Sequence, residues 1–223
     1  MRILIVWPHS GRNAGDRALV EEACRLARRR YPGAAVAVAL NDPAGWRGPR
    51  PAEIVPSLKT WLAEVSPAGE QTWHKGRLPW AALRLLLAVL VFRLTGRCWR
   101  FGSPDQRRLL ERYCAADLVL GSGGNHLYAR HWLNLTFFWT WLSLALAIML
   151  GKRVIILPQS IGPLHGPLQR LLVRWLLDRA ELAMVREPAS LRAAHALWPR
   201  RLPVLRPDMA FGFAGDPPAV GAE

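Results

Sequence analysis

Cysteine is scarce in this chain of 223 residues: Cys24, Cys98 and Cys114 are the only three, and their spacing fits neither a zinc site nor a disulfide framework. Reduced thiols in a cytosolic protein are the simplest reading. Lysine is as rare. Lys59, Lys75 and Lys152 are three of the 30 basic residues, and arginine supplies the rest. Acidic residues number only 16, which leaves a formal net charge of +14. Part of that basicity belongs to an Arg-, Ala-, Leu- and Trp-heavy composition of the kind a GC-rich genome encodes. The remainder favours anionic partners: phosphate-bearing substrates, acidic glycans or a lipid surface. No internal repeat and no low-complexity tract occurs. A secretory leader is not expected either, because the apolar run Ile3–Trp7 ends at Pro8, too short for a signal core and without a small-residue cleavage site.

Hydrophobic residues make up 51% and charged residues 21%, a globular composition on a chain long enough to bury a core. Residues 2–7 read as a buried strand, followed by a loop over 8–16 and a helix over about 16–30. Asp16 is its expected N-cap, and Leu19, Val20, Ala23, Leu26 and Ala27 share its apolar face. Pro32-Gly33 stops it before a second strand, Ala35–Leu40, and such a crossover implies parallel pairing. Residues 41–75, rich in Pro, Gly and Trp, read as a long excursion with one short helix near 58–65. Leu78–Thr95 reads as a strongly apolar helix with Arg77, Arg84, Arg93, Arg97 and Arg100 in or beside it, and a further helix covers about 105–115. Alternation then resumes with strands at 117–120, 153–157, 181–185 and 203–205 and helices at about 133–150, 166–179 and 188–197. The fold class is therefore α/β, a Rossmann-like doubly wound and mainly parallel sheet over residues 1–211. The tail at 212–223 is small, Pro-rich and expected to be loose.

In an open parallel sheet, ligands bind beyond the carboxyl ends of the strands. Four loops are expected there: 8–16, 121–126, 158–163 and 186–190. Glycine in such loops serves either a tight turn alone or an anion held by backbone amides at a helix start. Gly11-x-x-x-Gly15 lacks the inner spacing of a dinucleotide fingerprint, Gly121-x-Gly123-Gly124 lacks its final glycine, and no phosphate-loop motif occurs. Nicotinamide enzymes and P-loop NTPases are thereby disfavoured.

The loops match another pattern. Asn13-Ala14-Gly15-Asp16 follows the first strand, and Asp117-Leu-Val-Leu-Gly-Ser-Gly-Gly-Asn125 lies mid-chain. Gln159-Ser160-Ile161-Gly162-Pro163, then Val185-Arg186-Glu187-x-x-Ser190-Leu191, then Pro207-Asp208-x-Ala210-Phe211 complete the series. Each is weak alone, but five in this order resemble the polysaccharide pyruvyl transferase family over nearly the whole chain. The resemblance implies transfer of pyruvate from phosphoenolpyruvate, as co-substrate with no other cofactor, to a sugar of a surface polysaccharide. It also implies the N-terminal half of a two-domain, glycosyltransferase-B-like fold. The resemblance leads us to expect that a second domain, carrying much of the donor site and the family's catalytic histidine, is absent from this chain, with a homo-oligomer or a complementary C-terminal chain as expected partners. Implied with it are a glycan acceptor, lipid-linked in many members, and a cytoplasmic location that can be peripheral at the inner face of the membrane.

Substrate-binding candidates follow from the loops. Asn13, Gly15 and Asp16 sit at a helix start, where Asn13 and Asp16 either meet sugar hydroxyls or Asp16 simply caps the helix. Gly123, Gly124 and Asn125 either offer backbone amides to the acceptor or form a turn. Gln159 and Ser160 place polar side chains at the end of a buried strand, more often a site than a core because an unpaired buried amide is costly. Arg186 follows an apolar strand and suits a carboxylate or phosphate, or else pairs with Glu187 or Asp208. His9, His126, His131 and His165 are acid/base candidates by residue type, and no pair of them has convincing metal spacing. The stretch 135–150 is short of a membrane span and reads as a buried crossover helix, whereas the Arg-flanked stretch 77–100 suits either an interfacial helix or a packing helix. Rival readings are a glycosyltransferase-like fragment, a non-catalytic acceptor-binding or assembly module, and a nucleic-acid binder. The last has no recognised motif, and its arginines are scattered.

Overall fold

A computed structural model describes residues 1–65, 71–100 and 102–212. The apolar runs become strands of one sheet. In chain order, β1 (Arg2–Val6) leads through α1 (Ala14–Arg30) to β2 (Ala35–Leu40) and β3 (Glu53–Pro56). A 3-10 turn, Leu58–Trp61, precedes a small hairpin of β4 (Ala63–Val65) and β5 (Gln71–Trp73). Helices α2 (Leu78–Thr95) and α3 (Pro104–Ala115) carry the chain back to β6 (Leu118–Gly121) and β7 (Gly124–Leu127). After these come α4 (Leu135–Met149), β8 (Arg153–Ile161), α5 (Pro167–Arg179), β9 (Leu182–Val185), α6 (Pro188–His195) and β10 (Val204–Leu205).

The main sheet has eight strands in the order β10-β9-β8-β6-β1-β2-β3, with β7 added against β8, and every pairing in it is parallel. The winding reverses between β1 and β6. From β1 the chain moves to β2 through α1 on one face, where Val20, Ala23 and Ala27 pack on Ile3, Ile5 and Val38. From β6 it moves the other way through α4, α5 and α6 on the opposite face, which carries the larger core. A right-handed crossover demands this change of face. The doubly wound α/β fold expected from the alternation is the fold observed.

Several local expectations are corrected. Asn13 caps α1, because its backbone is extended and its side-chain oxygen accepts from Gly15 N (2.8 Å) and Asp16 N (3.4 Å); Asp16 lies inside the first turn. The helix expected near 58–65 is a 3-10 turn followed by β4, and the excursion also holds β3, which extends the sheet beyond β2. The 121–126 and 158–163 stretches are only partly loops, since β7 begins at Gly124 and β8 continues through Gln159 to Ile161. Pro158 hid that continuation. It is accommodated where β8 exchanges β6 for β7 and where its register against β9 shifts, so its missing N–H falls at a break in the ladder. The tail at 213–223 lies outside the described residues, as do 66–70 of the excursion.

The crossover reading of 135–150 holds: α4 is covered by sheet and neighbours, with Phe137, Trp139, Leu144 and Leu146 buried. Among the described residues, α2 is the one helix long and apolar enough to cross a membrane, and only 17% of it is buried.

Candidate functional site

The point where the winding reverses is where the loops after adjacent strands diverge and open a crevice. Here the cleft has a volume of about 1020 Å³. One wall is the loop after β1 with the first turn of α1 (His9, Arg12, Asn13, Asp16). The other is β7 and the segment leading into α4 (Gly124, Asn125, His126, Arg130, Asn134), and Lys59 closes the floor from the 3-10 turn.

The floor is built around Trp7, at the end of β1. Its φ of 87° is unusual for a residue with a side chain and costs about 1–3 kcal/mol. Two contacts hold it: the indole Nε1 donates to Thr140 O at 2.8 Å, and the ring covers Gly121, where a Cβ would stand 2.9 Å from it. Trp7 in turn meets the His126 ring, with centroids 5.5 Å apart. Asp42 organises the outer wall: it accepts from Ser10 Oγ (2.9 Å), Arg12 Nε (3.0 Å) and Gly45 N (2.9 Å), so its charge is already answered inside the protein.

Four titratable groups converge in the cleft. Burial raises the Asp16 carboxyl above its usual range, against the opposing pull of His9 and the Ser10 amide. Desolvation and then the Lys59 charge lower His9, which stands at the open mouth. Desolvation, and after it His9, push His126 down to about 4, so this imidazole is neutral at physiological pH. Lys59, 9% exposed, is pushed down to about 8 by burial. Shifts clustered in one crevice mark a functional site. A carboxyl raised towards neutrality beside an imidazole suits proton transfer, and a desolvated ammonium suits an anion.

The predicted site residues divide. Asn13, Asp16, Gly124 and Asn125 share the cleft. Gly15 is exposed at the start of α1 and gives its amide to Asn13. Gly123, Gln159, Ser160 and Arg186 stand behind β7. Gln159 is 0% exposed; its side chain accepts from His126 N at 3.0 Å and donates to Ser122 O. It therefore clamps the Gly-rich segment, and Gln159→Leu should destabilise the fold by about 1–3 kcal/mol for each polar group it orphans. Urea denaturation measures this, and an unchanged midpoint would refute the clamp. Arg186 donates to Ser160 Oγ (2.7 Å) and Asp208 Oδ2 (2.6 Å), the pairing that stood as the alternative to an anion contact. Its charge still reaches His126 and contributes to lowering it.

Lys59 and Trp7 were missed by sequence reasoning. Lys59 is one of only three lysines and sits in the segment hardest to assign, so its rarity was the available signal. Nothing in the sequence marks Trp7 apart from its place before Pro8. His9 and His126, named earlier by residue type alone, are brought into the cleft, and so is His131; His165 is not among its lining residues.

No curated protein matches this chain. The family model for polysaccharide pyruvyl transferase does, over residues 13–223. That match takes in the cleft from Asn13 onward and all five motif segments, and the chain belongs to the polysaccharide pyruvyl transferase family.

Proposed function

We propose that this chain takes part in transferring pyruvate from phosphoenolpyruvate to two hydroxyls of one sugar in a surface polysaccharide or its lipid-linked precursor. The reaction adds a proton to the donor's methylene carbon, joins both sugar oxygens to the adjacent carbon and releases phosphate. One hydroxyl proton balances the new methyl group and the other leaves with the phosphate. The chemistry therefore needs a cation for phosphate and carboxylate, a base for the hydroxyls and an acid for the methylene. The observation that carries the reading is the meeting of Lys59, Asp16 and His9 in one cleft at the sheet's switch point. In this reading Lys59 and the rim residue Arg130 hold the anion, and Asp16 with His9 moves protons. Asn13, Asn125 and the backbone at Gly124 orient the sugar. In this reading phosphoenolpyruvate is the co-substrate, and the reaction runs in the cytoplasm or at the inner face of the membrane.

A second reading, an acceptor-binding module without catalysis, is favoured by the engagement of Arg186 with Asp208, which leaves that guanidinium already answered. Calorimetric titration of phosphoenolpyruvate into the folded chain separates the two. Saturable binding is the expected result. Loss of it in Arg186→Ala brings Arg186 into the donor site, and retention leaves the anion to the Lys59 side. No binding at all by folded protein overturns the donor reading and leaves the acceptor module.

A further inference from the structure

A helix that is apolar on every side is normally found inside a core or a membrane. Helix α2 is in neither place in the isolated chain. Ala81, Leu85 and Ala88 pack on the body, while Trp80 (66% exposed), Leu83, Leu86 (64%), Leu90 and Leu94 (75%) stand in solvent. At 3.6 residues per turn these five form a single ridge on the side opposite the buried face. Arg84 and Arg93 fall on the two borders between ridge and body. Arg84 donates to Gln106 Oε1 at 3.3 Å, and the Arg93 guanidinium folds back towards Gly151, so both heads flank the ridge and leave its crest apolar. Arg77, Arg97 and Arg100 add positive charge at the two ends, and Leu78–Thr95 contains no acidic residue; Glu111, beside Arg97 and Arg100, is the nearby exception.

We propose that α2 is an interfacial anchor that lies flat on an anionic lipid bilayer. The ridge enters the acyl boundary, Trp80 sits at the headgroup level, and the flanking arginines meet lipid phosphates. Charge complementarity selects this occupant over a neutral protein surface: apolar crest, cationic borders, and a chain of net charge +14. The buried contacts of Ala81, Leu85 and Ala88 keep the helix against the domain, so it lies on the membrane and does not span it. Because α2 packs on α4, whose first turns line the cleft, the anchor would hold the cleft one helix away from the lipid surface.

Co-sedimentation of the full chain with vesicles tests the proposal, using phosphatidylglycerol mixed with phosphatidylcholine against phosphatidylcholine alone. The expected result is binding to the anionic vesicles that weakens in neutral ones, and a loss of about ten-fold or more in the double variant Leu86→Glu/Leu90→Glu. A thermal melt confirms that the variant is folded, and Leu171→Glu, an exposed leucine on α5, is the control that should bind normally. Three outcomes overturn the proposal. One is no sedimentation of the wild type. Another is sedimentation that the double variant retains, which assigns it to net charge alone. The third is a dimer in light scattering that the double variant dissociates while vesicles are ignored, which assigns the ridge to a second copy of the chain.

Discussion

Asp16→Asn is expected to lower pyruvyl transfer by about 10²- to 10⁴-fold while leaving phosphoenolpyruvate binding within a few-fold of wild type. Asparagine keeps the shape and the first-turn position but cannot accept a proton. Burial already opposes ionisation of this carboxyl, so in the proposed reaction its raised folded-state value would set the acid limb of the activity profile. Activity should rise as pH climbs through that value and Asp16 becomes a base. The sign for stability is opposite: a carboxyl raised on folding contributes stability that is lost as pH rises, so the amide is not expected to lower the melting temperature. Steady-state rates with melting curves check both halves, and a variant with full activity excludes Asp16 as the base.

Lys59→Met is expected to weaken phosphoenolpyruvate binding by about 10- to 100-fold and to flatten the basic limb of the profile, because the ammonium is the desolvated cation of the cleft. Wild-type binding should fade as pH rises through about 8, where Lys59 loses its proton. For stability, the folded value lies below the ordinary lysine value of 10.5, so the unfolded chain binds more protons between about 8 and 10.5. Folding is therefore favoured as pH rises across that window, and this part of the pH dependence should vanish in Lys59→Met. Methionine fills a similar volume, so the variant should be folded, which a melting curve checks before the titrations. Titration calorimetry across the same window, on both proteins, reads the affinity. Unchanged affinity in the variant moves the anion away from Lys59.

Local order was largely legible in the sequence. Apolar runs at 2–7, 35–40, 117–120 and 181–185 match strands within a residue or two, and the helices expected at 78–95, about 133–150 and about 166–179 are found within two residues of those places. A strand buried on both faces and a crossover helix each leave a periodic or continuous apolar signal, and their alternation admits few topologies. The motif segments between them carried the family, because their residue types and order are properties of the chain alone.

Which of those residues meet could not be read the same way, because meeting depends on strands distant in sequence. Gln159 looks like a site residue from its place at a strand end. Only the pairing of β7 with β8 turns it into the clamp between Ser122 and His126. Arg186 had two readings, and its ion pair with Asp208 became visible only when the tertiary structure brought the two segments together. Lys59 became visible only when the excursion folded back and buried an ammonium under the cleft, where desolvation rather than any motif gives it its chemistry. For α2, the sequence by itself determined an apolar helix bordered by arginine, and left packing helix and surface helix equally open. The tertiary structure decided which side faces out: three small or apolar positions take the contact with the body, and the larger ridge is left in water, where apolar area is costly to expose.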